Sequence, residues 1–413
     1  MKWMNLSGSA WLCSCLVLHV WPAWAAPVTF DQALQAALSS HPLLQGKRSE
    51  QAAARAEQEG AEWQRYPTPS IEANTATGGG KASVLRLDQP LWTGGRITAA
   101  IDAAGSRLDA AGTAIDVTRQ DLALRVIAAT GEALRQQERQ LHARTSVAEH
   151  DKLLAMIRRR VQQEVSPLAD QRLAESRRYA AVNEASFNTQ ALRNALSQLQ
   201  QLMGPGGEKV TEVDPRAYTE AARPEGLPTD PTAAGELALA HSPILRRLDF
   251  ESRAAQADIE SKRSAYLPQL SLRLESSHGD TSDNRALLVL LAQPGAGLSA
   301  KSGVDAAVAR REAARQTREA AQRDVLLQAG QDWNDWSESR LRAEHAELAR
   351  ATAAEVSESY ARQYTAGRKS WLDVLNAVRE ATQAELTLVD TTSQMQAASL
   401  RLKVLTGVLR LEK

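Results

Sequence analysis

Cysteine occurs at only two of 413 positions, Cys13 and Cys15, and both lie within the first 25 residues. That opening segment has a positive charge at Lys2, an apolar stretch centred on Trp11 to Val20, and the small-residue ending Ala23-Trp24-Ala25. The pattern is that of a secretory signal peptide. A spanning helix competes with it, but the run is shorter than the ~20 residues a bilayer needs and Pro22 interrupts its end. Neither cysteine follows the apolar core, where an acylated lipoprotein cysteine would stand. The expected mature chain therefore carries no thiol, which excludes disulfides, thiolate nucleophiles and Cys-ligated metals.

Aromatic residues make up 4% of the chain, and four of its nine tryptophans (Trp3, Trp11, Trp21, Trp24) fall in the signal segment. An alanine-rich chain that is 24% charged suits long helices in lateral contact better than one thick core. Net charge is also missing. The 49 basic and 49 acidic residues become 48 and 49 once Lys2 is removed, a balance of −1, which gives no basis for nucleic-acid binding. Histidines 41, 142, 150, 241, 278 and 345 show no i, i+4 pair and no carboxylate at metal-ligand spacing. They read as solvated or capping residues, and no metal or other cofactor is expected. Gly46-Lys47-Arg48-Ser49 lacks both the first glycine and the Ser/Thr of a phosphate loop, and no nucleophile elbow or dinucleotide fingerprint occurs. No catalytic residue can be nominated. Function must come from shape and charge placement.

What is present is repetition. Ala37-Leu38-x-x-x-Pro42-Leu43-Leu44 aligns with Ala238-Leu239-x-x-x-Pro243-Ile244-Leu245 at a shift of 201, and Pro67, Ser70 and Ile71 meet Pro268, Ser271 and Leu272 at the same shift. Gln89-Pro90 meets Gln293-Pro294 at 204, and Leu202-x-Gly204 meets Leu405-x-Gly407 at 203. A shift this steady indicates a tandem duplication. The expected organisation is a signal peptide at 1–25, a first repeat at 26–204, a Pro/Gly-rich linker at 205–231 and a second repeat at 232–413.

Each repeat opens with two helices, Asp31 to Ser40 and Pro42 to Arg65 in the first. A strand pair follows: Ser70 to Gly78 and Lys81 to Gln89 around Gly78-Gly79-Gly80, then Leu270 to His278 and Arg285 to Gln293 in the second repeat. Nine residues is the lower bound for a tilted membrane-crossing strand. In Leu270-Ser271-Leu272-Arg273-Leu274-Glu275 the apolar and charged residues fall on opposite faces. An ordinary surface hairpin is the competing reading, and the apolar run Leu287 to Leu291 fits alternation less cleanly.

After each strand pair comes a very long helix. Ile97 to Gln163 contains no proline, and Ile101, Leu108, Ile115 and Leu122 recur every seven residues, which is heptad packing. The stretch breaks at Ser166-Pro167, and Leu168 to Met203 returns. The second repeat offers Lys301 to Tyr364, a break at Ala366-Gly367, and Ser370 to Leu405.

Two segments carry a family resemblance. Gln89-Pro90-Leu91-Trp92-Thr93-Gly94-Gly95-Arg96 is similar to the strand-to-helix signature of the TolC-like outer-membrane factors, and Tyr364-Thr365-Ala366-Gly367-Arg368-Lys369-Ser370-Trp371-Leu372-Asp373-Val374-Leu375 resembles the tip of their second hairpin. The resemblance implies a mostly α protein with a small transmembrane β part: a homotrimer whose 12-stranded β-barrel continues as a long periplasmic α-helical barrel. It also implies docking to a periplasmic adaptor and an inner-membrane ABC or RND pump, in type I secretion of a protein such as an adhesin or in small-molecule efflux.

Carried over by motif, Asp373 matches the first carboxylate of the constriction ring, and Asn376 stands where some members have a second. Tyr364, Lys369 and Asp170 match latch positions. Glu164 occupies the place of the usual tip glycine ahead of Val165, Ser166 and Pro167, so the first tip turn is expected to be built by proline, whereas Gly367 serves the second. The second repeat lacks the Gly-Gly-Arg entry and has Pro294-Gly295-Ala296-Gly297-Leu298 instead. Tyr66, Trp92 and Tyr266, each next to a strand-edge proline, are candidates for an aromatic belt at the lipid interface, or for hinge packing. A periplasmic coiled-coil adaptor that conducts nothing is the alternative, although adaptors carry one hairpin between β-rich domains. A periplasmic enzyme has no constellation to support it.

Overall fold

A computed structural model describes residues 27–75, 81–204, 209–278, 282–293 and 295–411. The expected signal segment, the Gly78-Gly79-Gly80 turn, Pro205 to Gly207 and Pro294 lie outside the described residues. The chain runs through α1 (Phe30–Ser40), α2 (Pro42–Trp63), β1 (Thr68–Thr75), β2 (Lys81–Trp92), α3 (Arg96–Gln162) and α4 (Leu168–Met203). A short α5 (Pro215–Ala221) precedes α6 (Pro231–His241), α7 (Pro243–Arg263), β3 (Gln269–His278), β4 (Asp283–Leu291), α8 (Ser299–Thr365) and α9 (Trp371–Leu405). Apart from α5, the kinds of element come in one order twice.

Helix starts follow local chemistry. Pro42, Pro215, Pro231 and Pro243 each open a helix behind a capping side chain, His41, Asp214, Asp230 and Ser242 respectively. Proline's missing N–H costs nothing there, and its fixed φ is already helical. His41 is thus a cap, its Nδ1 accepting from the Leu43 N–H at 3.2 Å. His150, in contrast, is buried rather than solvated, and burial together with Arg177 pushes its pKa below the usual value.

Helices α3 and α8 each contain 67 residues, or ~100 Å at 1.5 Å per residue. No single neighbour covers such a length. Near the sheet, α3 lies against α2 and α7, where Ile115 and Leu122 of the heptad stripe bury with Leu44. Farther out it lies against α4 and α9. Asp390 of α9 ties the two hairpins together by pairing with Arg135 at 3.1 Å and Arg139 at 2.7 Å, both from α3.

The Pro/Gly-rich segment expected as a linker is part of the main core in its described portion. Val28 and Val213 form a parallel bridge. Tyr218 of α5 is fully buried, edge-on to Phe30 at 5.5 Å, and its hydroxyl donates to the Ile127 carbonyl at 3.2 Å. Gly131 makes room for it: a Cβ there would stand 2.5 Å from the Tyr218 oxygen. From α9, Ser399 Oγ and Lys403 Nζ donate to the Ala222 and Ala221 carbonyls at 2.7 and 2.8 Å. They satisfy acceptors that the end of α5 leaves open.

The strands also differ from expectation at their ends. β2 continues three residues beyond Gln89 to Trp92, through a bulge between Pro90 and Trp92. Proline cannot donate to a ladder, so the irregularity falls where Pro90 sits. β4 begins two residues earlier than expected and ends at Leu291.

The first tip turn is not built by proline. Glu164 itself adopts the left-handed conformation, φ +61°. Its N–H donates to the Val161 carbonyl at 3.0 Å, and the Val165 N–H donates to Arg160 at 2.9 Å. At the second tip Gly367, φ +73°, repeats the arrangement: its N–H donates to Tyr364 at 3.0 Å and the Arg368 N–H to Gln363 at 2.9 Å. Both are Schellman closures. Pro167 only caps the start of α4, with φ −70°. A side chain in this conformation is strained by roughly 1–2 kcal/mol. Glu164→Gly is therefore expected to stabilise the hairpin by up to about 1 kcal/mol after the added freedom of the unfolded chain is subtracted, and Gly367→Ala to destabilise it by about 1 kcal/mol. Denaturant unfolding of the two variants checks both signs.

Candidate functional site

Two regions combine exposure with unusual chemistry: the four-stranded sheet at one end of the long helices and the paired hairpin tips at the other. The sheet is antiparallel in the order β1-β2-β3-β4, so β1 and β4 are its edges. Directly opposed residues share a face. Ile71 opposes Leu85; Leu87 opposes Leu274, which opposes Ala286; Gln89 opposes Leu272, which opposes Leu288; and Trp92 aligns with Leu270, which opposes Leu290. Toward the helices this face is mostly apolar yet open to solvent, with Ile71 77%, Leu288 68% and Leu290 67% exposed, while Ser276 and Asn284 share it farther out. The opposite face carries the charges, Arg86 opposing Glu275, and Glu275 opposing Arg285. The register also resolves the run Leu287 to Leu291. Leu288 and Leu290 join the apolar face, while Leu287, Val289 and Leu291 take the other.

Where sheet meets helices, Tyr66, Trp92 and Tyr266 are all exposed. Trp63, which no pattern singled out, joins them, 68% exposed with its ring 5.2 Å from that of Tyr66. The Gly-Gly-Arg entry has a mechanical basis. Gly94 and Gly95 have φ of +59° and +87°, and a Cβ on Gly94 would meet Leu267 Cβ at 2.9 Å. Arg96 then bonds Gln64 at 3.3 Å, and Gln89 bonds the Arg65 carbonyl at 2.9 Å. In the other half, Gly295 and Gly297 at φ +84° and +58° supply the turn.

At the far end, all four long helices share one small core: Leu153, Leu154 and Ile157 of α3, Ala174 of α4, Tyr364 of α8, and Trp371, Val374 and Leu375 of α9. The expected latch residues are partly brought together. The buried Tyr364 ring lies 5.4 Å from Trp371 and beneath the Arg160 guanidinium at 4.8 Å, so this cation–π contact joins the two hairpins. Lys369 Nζ stands 4.1 Å over the Tyr360 ring. Asp170 lies half-buried in the first turn of α4, and among the described residues no ion pair joins it to Lys369. Ser166 receives a hydrogen bond from Arg160 Nε at 3.4 Å. Trp371, Tyr360 and Arg160 carry no sequence motif for these contacts. The i, i+4 aromatic pair Tyr360/Tyr364 was the available signal.

Asp373 is the N3 residue of a capping box that opens on Ser370. Its carboxylate accepts from the Ser370 hydroxyl at 2.8 Å and the Ser370 N–H at 3.1 Å, while Ser370 Oγ accepts from the Asp373 N–H at 3.2 Å. The Ser370 bonds hold its carboxyl below the usual aspartate range, so it is charged at neutral pH. Asn376, one turn on, is half-buried like Asp373, whereas Trp371, Val374 and Leu375 are buried. Asp373 and Asn376 therefore lie off the apolar face that builds the tip core.

Three comparisons bear on these features. Residues 234–408 match the family model described as outer membrane efflux protein. No curated protein sequence matches the chain. Among solved structures, a membrane protein from Pseudomonas aeruginosa is similar at 20% identity and TM-score 0.81, with 92% of each chain covered. The outer membrane protein VceC from Vibrio cholerae is similar at 16% identity and TM-score 0.79, covering 92% of this chain and 96% of that one. The open state of the MtrE outer membrane channel from Neisseria gonorrhoeae is similar at 16% and TM-score 0.75, covering 92% and 88%. The chain has the fold of TolC-like outer-membrane channels, mostly helical with a small sheet. The family match and this fold place it in the outer membrane, extending into the periplasm.

The capping box supplies a pH test. A carboxyl with a depressed folded pKa contributes stability that is complete above its unfolded value, about 4 for aspartate, and lost as pH falls through the lower folded one. Ser370→Ala is expected to cost about 1 kcal/mol at neutral pH, and the cost is expected to shrink below pH ~4. Unfolding measured across that range checks both.

Proposed function

We propose that three copies of this chain close a 12-stranded barrel in the outer membrane and form, with their long helices, a passive export duct. The observation that carries this reading is the sheet: four strands with an exposed apolar face, a charged face and two open edges. In hydrocarbon every backbone N–H and C=O must be paired internally, so an open edge is viable only when another strand covers it. A lone four-stranded sheet cannot do that. β4 of one copy beside β1 of the next can, with the apolar face toward lipid and the charged face toward the lumen. Leu327, Leu341 and Leu348 of α8, exposed and spaced by multiples of seven, support lateral packing against a neighbouring copy.

In this reading residues 1–25 are the cleaved export signal, and the two tandem repeats contribute equivalent hairpins. The tips then meet a periplasmic adaptor, whose docking, with that of an inner-membrane pump, separates the Arg160, Tyr364 and Trp371 contacts and opens the duct. Tyr66, Trp92 and Tyr266 sit at the lipid boundary, with Trp63 added to them. Asp373 from three copies forms a ring that repels anions and binds cations, and Asn376 forms a weaker one beside it. The molecule conducts and does not catalyse. The pump that co-purifies, ABC or RND, distinguishes protein secretion from small-molecule efflux. An adaptor would have no use for four strands with a bare apolar face.

Extraction of outer membranes is expected to yield a trimer that conducts in planar bilayers, and recovery as a soluble periplasmic monomer would overturn the reading. Asp373→Asn keeps a cap acceptor and removes the charge. It is expected to weaken block by multivalent cations, and unchanged block would place the ring elsewhere.

A further inference from the structure

The charged face of the sheet is more ordered than a polar lumen requires. Seven charged residues stand on it: Glu72, Arg86, Asp88, Arg273, Glu275, Asp283 and Arg285. Glu72 pairs with Arg86 at 2.6 Å, Arg86 with Glu275 at 3.2 Å, Glu275 with Arg285 at 3.5 Å, and Arg285 with Asp283 at 3.3 Å. The sign of charge alternates along a line that crosses all four strands. One level closer to the helices, Arg273 and Asp88 sit directly opposite each other, 2.7 Å apart. Four carboxylates and three guanidinium groups thus lie within 3.5 Å of an opposite charge. Arg86 is the hinge of this balance, because from β2 it reaches a carboxylate on each neighbouring strand.

Charges paired this closely present dipoles to the space beyond them, and dipolar fields fade faster than those of single charges. Physiological salt screens what is left within ~8 Å. We propose that the ladder is a specificity-determining element that leaves the barrel section of the duct only weakly selective for the sign of a passing ion, its seven charges summing to −1 per copy, with Arg86 as the residue on which that near-balance depends. Selectivity is then left to other levels of the duct. This inference rests on the duct reading above.

Reversal potentials of the trimer in planar bilayers under a KCl gradient test it. Relative to wild type, Arg86→Gln withdraws a cation shared by Glu72 and Glu275 and is expected to shift the potential toward cation selectivity. Glu275→Gln is expected to shift it toward anions. The double variant Arg86→Gln/Glu72→Gln removes one charge of each sign and is expected to return to the wild-type value. The shifts should collapse at 1 M salt, where screening acts within ~3 Å. Single variants that conduct with unshifted potentials, or with shifts of the same sign, overturn the ladder while leaving the duct intact. If Arg86→Gln fails to insert, the Glu275→Gln shift decides alone. A wild type that inserts and does not conduct overturns the duct reading and this inference with it.

Discussion

A helix of 67 residues has no place to bury itself in one compact body, and the rest of this architecture follows from that constraint. Burial has to be lateral and has to change partners along the way, which is why α3 lies first against α2 and α7 and then against α4 and α9. Small residues permit the close approach: Ala103, Ala104, Ala110, Ala123 and Ala133 of α3 are all buried. Two denser cores interrupt this thin packing. One gathers Phe30, Ile127, Leu199 and Tyr218 where the short helices wrap the long ones, and the other joins the tips around Tyr364 and Trp371. Between them the contact relies on ion pairs such as Arg135 and Arg139 with Asp390, which are partly exposed and worth little individually.

The two tips show how one closure can be reached at different energetic cost. Gly367 takes the left-handed position without strain, whereas Glu164 takes the same position with a side chain attached. The same hydrogen bonds form in both. What separates the tips is their surroundings: the second supplies Tyr364 and Trp371 to the shared core, and the first supplies Arg160 to hold Tyr364 from across. The tip is therefore a joint between hairpins.

At the sheet, register does what composition alone could not. Slipping one strand by one residue would send its charges to the apolar face, and Arg86, Glu275 and Arg285 line up only because β2, β3 and β4 are held in step. Gly94 packs closely on Leu267 where the ends of β2 and β3 meet the helices.

The sequence by itself determined the long helices, the strand pairs and the positions of the breaks, because proline, glycine and heptad spacing act locally and leave a local trace. It also marked Tyr66, Trp92 and Tyr266 as edge aromatics, since each stands within two residues of a proline near a strand end. Only the tertiary structure decided that the Pro/Gly-rich stretch after α4 feeds Tyr218 into the main core, that Glu164 rather than Pro167 makes the first turn, that Arg160 reaches Tyr364, and that Glu72, Arg86, Glu275 and Arg285 form one line. Arg160 and Tyr364 are 204 positions apart and Arg86 and Glu275 are 189. Pairing at such separations is set by how the hairpins and strands pack and leaves no periodicity to read. Glu164 escaped for a different reason: residue type signals a left-handed turn when it is glycine, and here the backbone adopts that turn against the preference of its side chain.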